Sequence, residues 1–156
     1  MKVSGFTFLR NGQKLGYPFV ASIRSLLPLV DEFVIALGPC DDDTEKMLRA
    51  IGDPKIRVLP TQWNERIQPG YSVNGFVYGQ QKSIALFNCT GDWAFYLEAD
   101  EVVHENDLPK IRAAMEKHLG NFCEYFEFAR RVWAPKTAGN SRETAAREQL
   151  EKMFGG

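Results

Sequence analysis

Residues 80–101, QQKSIALFNCTGDWAFYLEADE, contain the pattern that decides the fold. In their second half Trp93, Phe95 and Leu97 occupy alternate positions, which is typical of a β-strand with one face on a core. Acids follow the strand at once, and six carboxylates but no Lys or Arg lie between residues 92 and 109. In a chain whose formal net charge is only −1, this local concentration of negative charge requires an explanation.

The composition is that of one globular domain, since the chain has 156 residues, of which 44% are hydrophobic and 25% are charged. The balanced charge leaves no basic face of the kind that nucleic-acid binding needs. The first apolar run is too short for a signal peptide, and no window approaches the ~18 apolar residues of a membrane span. We therefore expect a cytoplasmic protein without a membrane span. Cys40, Cys89 and Cys123 are scattered, so they are interpreted as reduced thiols rather than as a disulfide framework or a zinc site.

Strand-like and helix-like segments alternate along the chain. The predicted strands are residues 2–9, 32–37, 55–60 and a fourth from residue 92, and the predicted helices are residues 17–30, 45–51 and 73–88. This order implies right-handed crossovers and a mostly parallel sheet in an α/β fold. Such sheets bind ligands at the carboxyl ends of their strands, where the acids of the fourth strand lie.

The acids after the fourth strand admit two interpretations. Residues two apart on a strand share a face and lie roughly 6.6 Å apart, so Glu98 and Asp100 would present two oxygen donors on one side. Mg²⁺ or Mn²⁺ takes one or two protein carboxylates and completes its shell with water and substrate phosphates, so a diphosphate substrate fits this pair. Alternatively, the acids belong to a solvated loop and a helix start, and Glu105 and Asp107 are assigned that role before Pro109.

The same stretch resembles the central signature of family 2-type glycosyltransferases. That signature is a helix with a basic residue near its start, a T-G-D run, and a strand that ends in L-D-A-D-D or L-D-A-D-E. The matching residues are Lys82, Ala85, Thr90, Gly91, Asp92, Leu97, Glu98, Ala99, Asp100 and Glu101. With VSGFTFLRNG, VIALGPCDDDTEKML and KIRVLPTQWN in the order that the family expects, the resemblance covers residues 3 to about 119. It implies a GT-A fold, a Rossmann-like sheet flanked by helices that holds a nucleotide sugar through a divalent metal.

The resemblance also implies roles for particular residues. Asp100 would be the principal metal ligand, and Glu98 would contact the metal or the ribose. Glu101 would lie on the opposite face. Lys82 would lie near the nucleotide, although a solvated surface charge is the alternative for it.

The resemblance likewise places Phe8, Arg10 and Asn11 in a wall at the end of the first strand, beside the nucleotide. For Arg10 the alternative of a surface charge stays open. Trp63 could stack on a base, but core packing is favoured, and His104 could reach the metal, but a surface position is favoured.

The chain departs from the family pattern after its second strand. Ala36 and Leu37 stand where the family usually has an Asp that binds the base, so the choice among UDP, GDP, CDP and TDP sugars stays open. Asp41 to Asp43 could serve the nucleotide, but a solvated loop that caps the next helix is favoured.

The end of the chain does not resemble the family. FCEYFEFARRVW predicts one further strand, and residues 134–156 predict a linker and a C-terminal helix. We therefore divide the chain into a nucleotide-sugar-binding domain at residues 1–133, with an incomplete acceptor half, and this tail. The family's catalytic base lies in the acceptor half; Glu124 and Glu127 are the nearby carboxylates, and neither is assigned that role.

Three functions stay open. The first is a metal-dependent, inverting glycosyltransferase that passes a sugar from a nucleotide-diphosphate sugar to an unknown glycan, lipid-linked or protein acceptor. The second is a shortened, non-catalytic nucleotide-binding or scaffold domain. The third is a sugar-phosphate nucleotidyltransferase, in which LRNGQKLG with Arg10 and Lys14 would form the basic phosphate loop.

Overall fold

The computed structural model describes residues 1–63 and 73–118 of the chain. Strands and helices alternate in them, in the order β1 (Val3–Leu9), α1 (Phe19–Leu26), β2 (Glu32–Leu37), α2 (Thr44–Arg49), β3 (Ile56–Pro60), α3 (Val73–Phe87), β4 (Trp93–Tyr96), a 3₁₀ turn (Glu105–Asp107) and α4 (Leu108–His118). This alternation confirms the predicted α/β class.

The four strands of the described residues form one parallel sheet in the order β3-β2-β1-β4. The chain moves outward from β1 through β2 to β3 and then returns to the other side of β1 for β4. The direction of the crossovers reverses at that point. The carboxyl ends of β1 and β4 therefore flank the topological switch point, where open α/β sheets bind their ligands.

Helices cover both faces of the sheet because its central strands are apolar on both sides. Phe33 and Ile35 of β2 belong to a buried cluster that includes α1, whereas Val34 and Ala36 pack in a second cluster with Ala85 of α3. The unbroken apolar run of β2 is typical of a parallel strand that is buried on both faces. Phe8 and Tyr96 pack against the second cluster, so the α3 side of the sheet carries these two rings.

The T-G-D run fastens the start of β4 to the start of β1. The backbone N–H of Gly91 donates to Ser4 Oγ at 2.8 Å, and a Cβ on Gly91 would lie 2.8 Å from the carbonyl oxygen of Lys2. Asp92 accepts the backbone N–H of Lys2 at 2.7 Å and donates its own N–H to the Lys2 carbonyl at 2.8 Å. Only glycine fits so close an approach of two backbones. The run therefore has a structural role at the amino edge of the sheet.

Glu32 is the centre of a polar network at the same edge. Its Oε1 accepts hydrogen bonds from Ser4 Oγ at 2.7 Å, from the Thr90 N–H at 2.6 Å and from Thr90 Oγ1 at 2.7 Å. Arg57 Nη2 lies 3.6 Å from its Oε2. Burial alone would raise the pKa of Glu32, but the hydrogen bonds from Ser4 and Thr90 outweigh burial and lower that pKa to about 2. The network thus favours the ionised carboxylate and joins β1, β2 and the loop before β4.

Several predicted boundaries agree with the structure. α1 ends at Leu26, before Pro28, whose ring cannot continue a helix. α4 follows the 3₁₀ turn at Glu105–Asp107, which confirms the helix start predicted there. Within the described ranges, no helix is long and apolar enough to cross a membrane.

Cys40 and Cys89 are free, half-buried thiols. The predicted strand after residue 120, the domain boundary at residues 133 and 134, Cys123, and the carboxylates Glu124 and Glu127 all lie outside the described residues.

Candidate functional site

A cleft of about 540 Å³ opens at the carboxyl ends of β1 and β4, at the switch point of the sheet. It is lined by Phe8, Leu9, Arg10, Asn11, Lys14, Leu15, Tyr17, Trp63, Tyr78, Gly79, Lys82, Tyr96, Glu98, Ala99 and Asp100. The structure thus brings together all six residues that the sequence nominated, Phe8, Arg10, Asn11, Lys82, Glu98 and Asp100.

Aromatic rings form one wall of the cleft. The ring centroid of Phe8 lies 5.7 Å from that of Tyr78, 6.2 Å from that of Trp63 and 6.4 Å from that of Tyr96. Trp63 is half-buried with its indole Nε1 buried, and it also lines the cleft, so it does not lie wholly in the core position that the sequence favoured. It packs over Gly38, where a Cβ would lie 2.3 Å from the indole Nε1. The missing side chain at Gly38 therefore makes room for the indole.

Both basic residues nominated from the sequence lie over these rings. The guanidinium carbon of Arg10 is 5.4 Å from the Trp63 ring centroid, and Arg10 Nε donates to the Pro39 carbonyl at 3.1 Å. The ammonium of Lys82 is 3.4 Å from the Tyr96 ring centroid. These are cation–π distances, and they hold two positive charges inside the cleft rather than in open solvent.

Asn11 shapes the loop after β1. Its φ of 50° is left-handed, a conformation that Asn tolerates better than most residues. Its Oδ1 accepts the Asp41 N–H at 2.9 Å, and its own N–H donates to Cys40 Sγ at 3.3 Å. Asn11 therefore joins the loop after β1 to the loop after β2.

The acids of the second loop complete this junction. Asp41 pairs with Lys14 Nζ at 2.9 Å, and Asp42 accepts the N–H groups of Lys14 at 2.9 Å and of Thr44 at 3.0 Å. The favoured interpretation of residues 41–43 was a solvated loop that caps the next helix. Asp42 does bind the Thr44 N–H at the start of α2, whereas Asp43, the residue before α2, forms no side-chain capping bond.

The sequence predicted that the acids after β4 lie on the strand, but the structure places them beyond its end. β4 ends at Tyr96, and Glu98 and Asp100 are exposed in the turn that follows. The turn closes because the Glu101 N–H donates to the Glu98 carbonyl at 3.1 Å and the Glu98 N–H donates to the Glu101 carboxylate at 3.0 Å. Local side-chain bonds of this kind compete with extension of a strand. The geometric reason for placing the two carboxylates on one face was therefore wrong, although both line the cleft.

The described residues contain no group of three or more His, Cys, Asp or Glu side chains that could hold a metal ion. Among the described residues that line the cleft, the carboxylates are those of Glu98 and Asp100. Two carboxylates fit Mg²⁺ or Mn²⁺, which commonly take their other ligands from water and phosphate. His104 is exposed and its Nδ1 accepts the Asn106 N–H at 3.1 Å, so it caps the 3₁₀ turn.

The sheet order, the flanking helices and the cleft at the switch point define a class: the chain has the GT-A-type fold of glycosyltransferases. No protein-family model matches the sequence, and no curated protein matches it either.

The fold assignment rests on solved structures. S. aureus TarS, residues 1–349, matches with a TM-score of 0.54 and 18% identity over 76% of this chain and 33% of that chain. The same TarS segment in complex with UDP matches with a TM-score of 0.53, 18% identity and the same coverage. The chain thus spans about a third of the TarS segment. Glucosyl-3-phosphoglycerate synthase from Mycobacterium tuberculosis, in complex with Mn²⁺, UDP and phosphoglyceric acid, matches at a TM-score of 0.46 and 21% identity, over 76% of this chain and 39% of that one.

Sequence reasoning did not assign Tyr78 and Tyr96 to the site. A signal for each was present: Tyr78 is four residues before Lys82 and so shares its face of α3, and Tyr96 alternates with Phe95 on β4. The spacing on α3 does not show which face of the helix meets the cleft, because that depends on how α3 is rotated against the sheet. The alternation on β4 does not show which face of the sheet α3 covers.

Proposed function

We propose that the cleft binds the diphosphate of a nucleotide sugar together with Mg²⁺ or Mn²⁺, and that the chain serves a metal-dependent, inverting glycosyltransferase reaction onto an unidentified acceptor. The observation that carries this proposal is the arrangement of charge in the cleft. Two exposed carboxylates and two cations held on aromatic rings share about 540 Å³ at the switch point of a GT-A-type sheet. TarS, whose fold the chain shares, has been solved in complex with UDP.

Each charged group has a part in this proposal. Glu98 and Asp100 would hold the ion, which when bound supplies positive charge to the diphosphate as it leaves the sugar. Lys82 and Arg10 would add positive charge on the side of the aromatic wall, where the diphosphate oxygens need it. Their attachment to Tyr96 and Trp63 restricts their motion before the ligand arrives.

The aromatic wall suits the nucleoside. Phe8, Trp63 and Tyr78 offer ring surfaces on which a base can stack without regard to its identity. No carboxylate stands at the end of β2, since Ala36 and Leu37 occupy that position. We propose that this wall holds the base and that backbone groups near the wall determine which base is chosen.

The proton of the acceptor hydroxyl needs a base. The carboxylates among the described lining residues are Glu98 and Asp100, and both are assigned to the ion. No base is assigned among the described lining residues, and this is the observation behind a second candidate function, nucleotide-sugar binding without transfer.

The nucleotidyltransferase alternative needs a basic phosphate loop after β1. Lys14 in that loop is paired with Asp41 at 2.9 Å. Its positive charge is therefore already engaged, which argues for the transferase proposal over this alternative.

Calorimetric titration of UDP, GDP, CDP and TDP, with and without Mn²⁺, tests the proposal. One nucleotide should bind, and its binding should need the metal. Asp100→Asn should weaken metal-dependent binding by at least about tenfold. Mutation of a residue that only hydrogen-bonds to a metal ligand already lowers metal affinity by about 10–100-fold, and Asp100 is proposed as a ligand itself.

The matched control is Asp107→Asn, which removes another exposed acid that pairs with Lys110 at 2.7 Å and does not line the cleft. It should bind like the wild type. A folded wild-type protein that binds none of the four nucleotides would overturn the proposal. Binding without release of sugar from any offered donor would favour the second candidate.

A further inference from the structure

Tyr96 lines the cleft together with the cation of Lys82 and the carboxylates of Glu98 and Asp100. It is the last residue of β4, and its ring packs against Phe6 at a centroid distance of 5.3 Å and against Phe8 at 6.4 Å. These contacts fix the ring against the α3 side of the sheet.

The ring face of Tyr96 carries the ammonium of Lys82, 3.4 Å from the centroid. Within the described residues Lys82 forms no salt bridge, although acids line the same cleft. A cation at this distance from a partly desolvated ring is held by the ring quadrupole.

Tyr96 also lies next to the turn that carries the acids. β4 ends at Tyr96, Glu98 follows two residues later, and Tyr96, Glu98 and Asp100 all line the cleft. One side chain thus contacts the cation through its ring face and lies beside the turn that presents the carboxylates.

An ammonium and two carboxylates in one small cleft attract each other. A direct pair between Lys82 and Glu98 or Asp100 would neutralise the charge that each needs for its own ligand. A lysine stem is long and flexible enough to form such a pair if nothing restrains it.

We propose that Tyr96 is a positioning residue that keeps the Lys82 ammonium away from Glu98 and Asp100, so that the carboxylates stay open to a cation and the ammonium stays open to a phosphate. This inference rests on the proposed function of the cleft. It gives Tyr96 a role in separating charges, which differs from binding the metal and from contacting the nucleotide.

Mn²⁺ titration followed by electron paramagnetic resonance tests the inference on the full chain, with no nucleotide present. Tyr96→Leu removes the ring, so Lys82 should move onto the acids and Mn²⁺ affinity should fall about tenfold, the effect of one close ion pair. Tyr96→Phe keeps the ring face and should stay within about threefold of the wild type.

The diagnostic measurement is a rescue. Adding Lys82→Gln to Tyr96→Leu removes the misplaced charge and should restore Mn²⁺ affinity to within about twofold of the Lys82→Gln single variant. A role for Tyr96 in packing alone would not be repaired by a change at Lys82. Failure of the rescue, or a Tyr96→Phe protein as weak as Tyr96→Leu, would overturn the inference.

A measurement on the wild type makes the test independent of variant folding. The ε-methylene protons of Lys82 should show an upfield ring-current shift in NMR spectra because they lie over the Tyr96 ring; protons at an ordinary lysine shift would overturn the inference. A wild type that binds neither Mn²⁺ nor nucleotide would refute the proposed function, whereas normal wild-type binding with no rescue would refute only the role of Tyr96.

Discussion

Gly38 shows how a single residue shapes the cleft. It follows β2, and a Cβ there would lie 2.3 Å from Nε1 and 2.6 Å from Cδ1 of Trp63. A rigid indole cannot yield by a rotation of its far end, so the whole ring would have to move. The position of Trp63 therefore depends on the absence of a side chain at residue 38. The position of the Arg10 guanidinium, which lies over the Trp63 ring, depends on it too.

Gly38→Ala should destabilise the protein by about 1–3 kcal/mol, the usual effect of forcing extra volume into a packed site. Urea unfolding measures the change. Gly79→Ala is the matched control, since a Cβ at Gly79 meets nothing within 4 Å and the position lies in α3. Alanine there should stabilise the protein by about 0.5–1 kcal/mol. Equal stability of the Gly38→Ala and wild-type proteins would contradict the packing described for Trp63.

At this scale the sequence indicated the charged members of the site better than the aromatic ones. Glu98, Asp100, Arg10 and Lys82 follow from the carboxyl ends of strands and from the family resemblance. The sequence favoured a core position for Trp63. Its actual environment depends on Gly38, which lies 25 positions earlier in the chain. No local pattern reports such a contact.

At the scale of elements, β4 is held at its start and released at its end. Glu32, Thr90 and the T-G-D backbone fix its amino end beside β1. At its carboxyl end the chain leaves the sheet after Tyr96 and turns through Glu98 to Glu101. The acids are thus presented by a turn that leaves the strand at the switch point.

The strands and helices were predictable because burial on two faces leaves a continuous apolar run in β2, whereas burial on one face leaves a helical apolar period in α1. The end of β4 was not predictable from alternation. Leu97 and Glu98 continue the period of the strand, but the Glu101 carboxylate binds the Glu98 N–H and bends the chain. Whether the chain forms a turn or one more hydrogen bond of the sheet at this point cannot be predicted from the pattern of hydrophobic residues.

The network around Glu32 predicts a pH dependence of stability. Its folded pKa of about 2 lies below the unfolded value of 4.5, so its contribution is fully present above pH 4.5 and is lost as the pH falls towards 2. Glu32→Gln should lower the free energy of unfolding by about 2 kcal/mol at pH 7, allowing for solvent screening. It should also reduce the loss of stability between pH 5 and pH 2.

Urea unfolding at pH 7, 5, 3 and 2 measures this difference. Glu116→Gln on α4 removes an exposed carboxylate 3.9 Å from Arg112 and should leave the pH profile close to that of the wild type. If Glu32→Gln and the wild type lost the same stability between pH 5 and pH 2, Glu32 would not be the group responsible.

At the scale of the whole molecule, the described residues combine a parallel sheet with a cleft that holds two carboxylates and two cations on aromatic rings. It spans 33% of the TarS chain that it resembles in structure. Under the proposed function, the nucleotide would bind at the switch point of the sheet. No acceptor site and no base are assigned among the described residues.

The nucleotide identified by titration should raise the free energy of unfolding by about 2.7 kcal/mol at 100 times its dissociation constant. This stabilisation should require Mn²⁺ and nucleotide together, because under the proposed function Glu98 and Asp100 would hold the ion and the ion would supply positive charge to the diphosphate. Chemical denaturation with each ligand alone and with both measures the effect, and Asp100→Asn should lose it. Equal stabilisation by nucleotide without the ion would contradict the proposed metal bridge.

The signature residues of the chain are divided between the two edges of one sheet. T-G-D fastens β4 at the amino edge, and Glu98 and Asp100 project at the carboxyl edge. Changes in T-G-D should therefore cost stability, whereas changes in the two acids should leave the scaffold intact. A descendant that kept T-G-D and lost the acids would keep its fold, and under the proposed function it would no longer hold the ion.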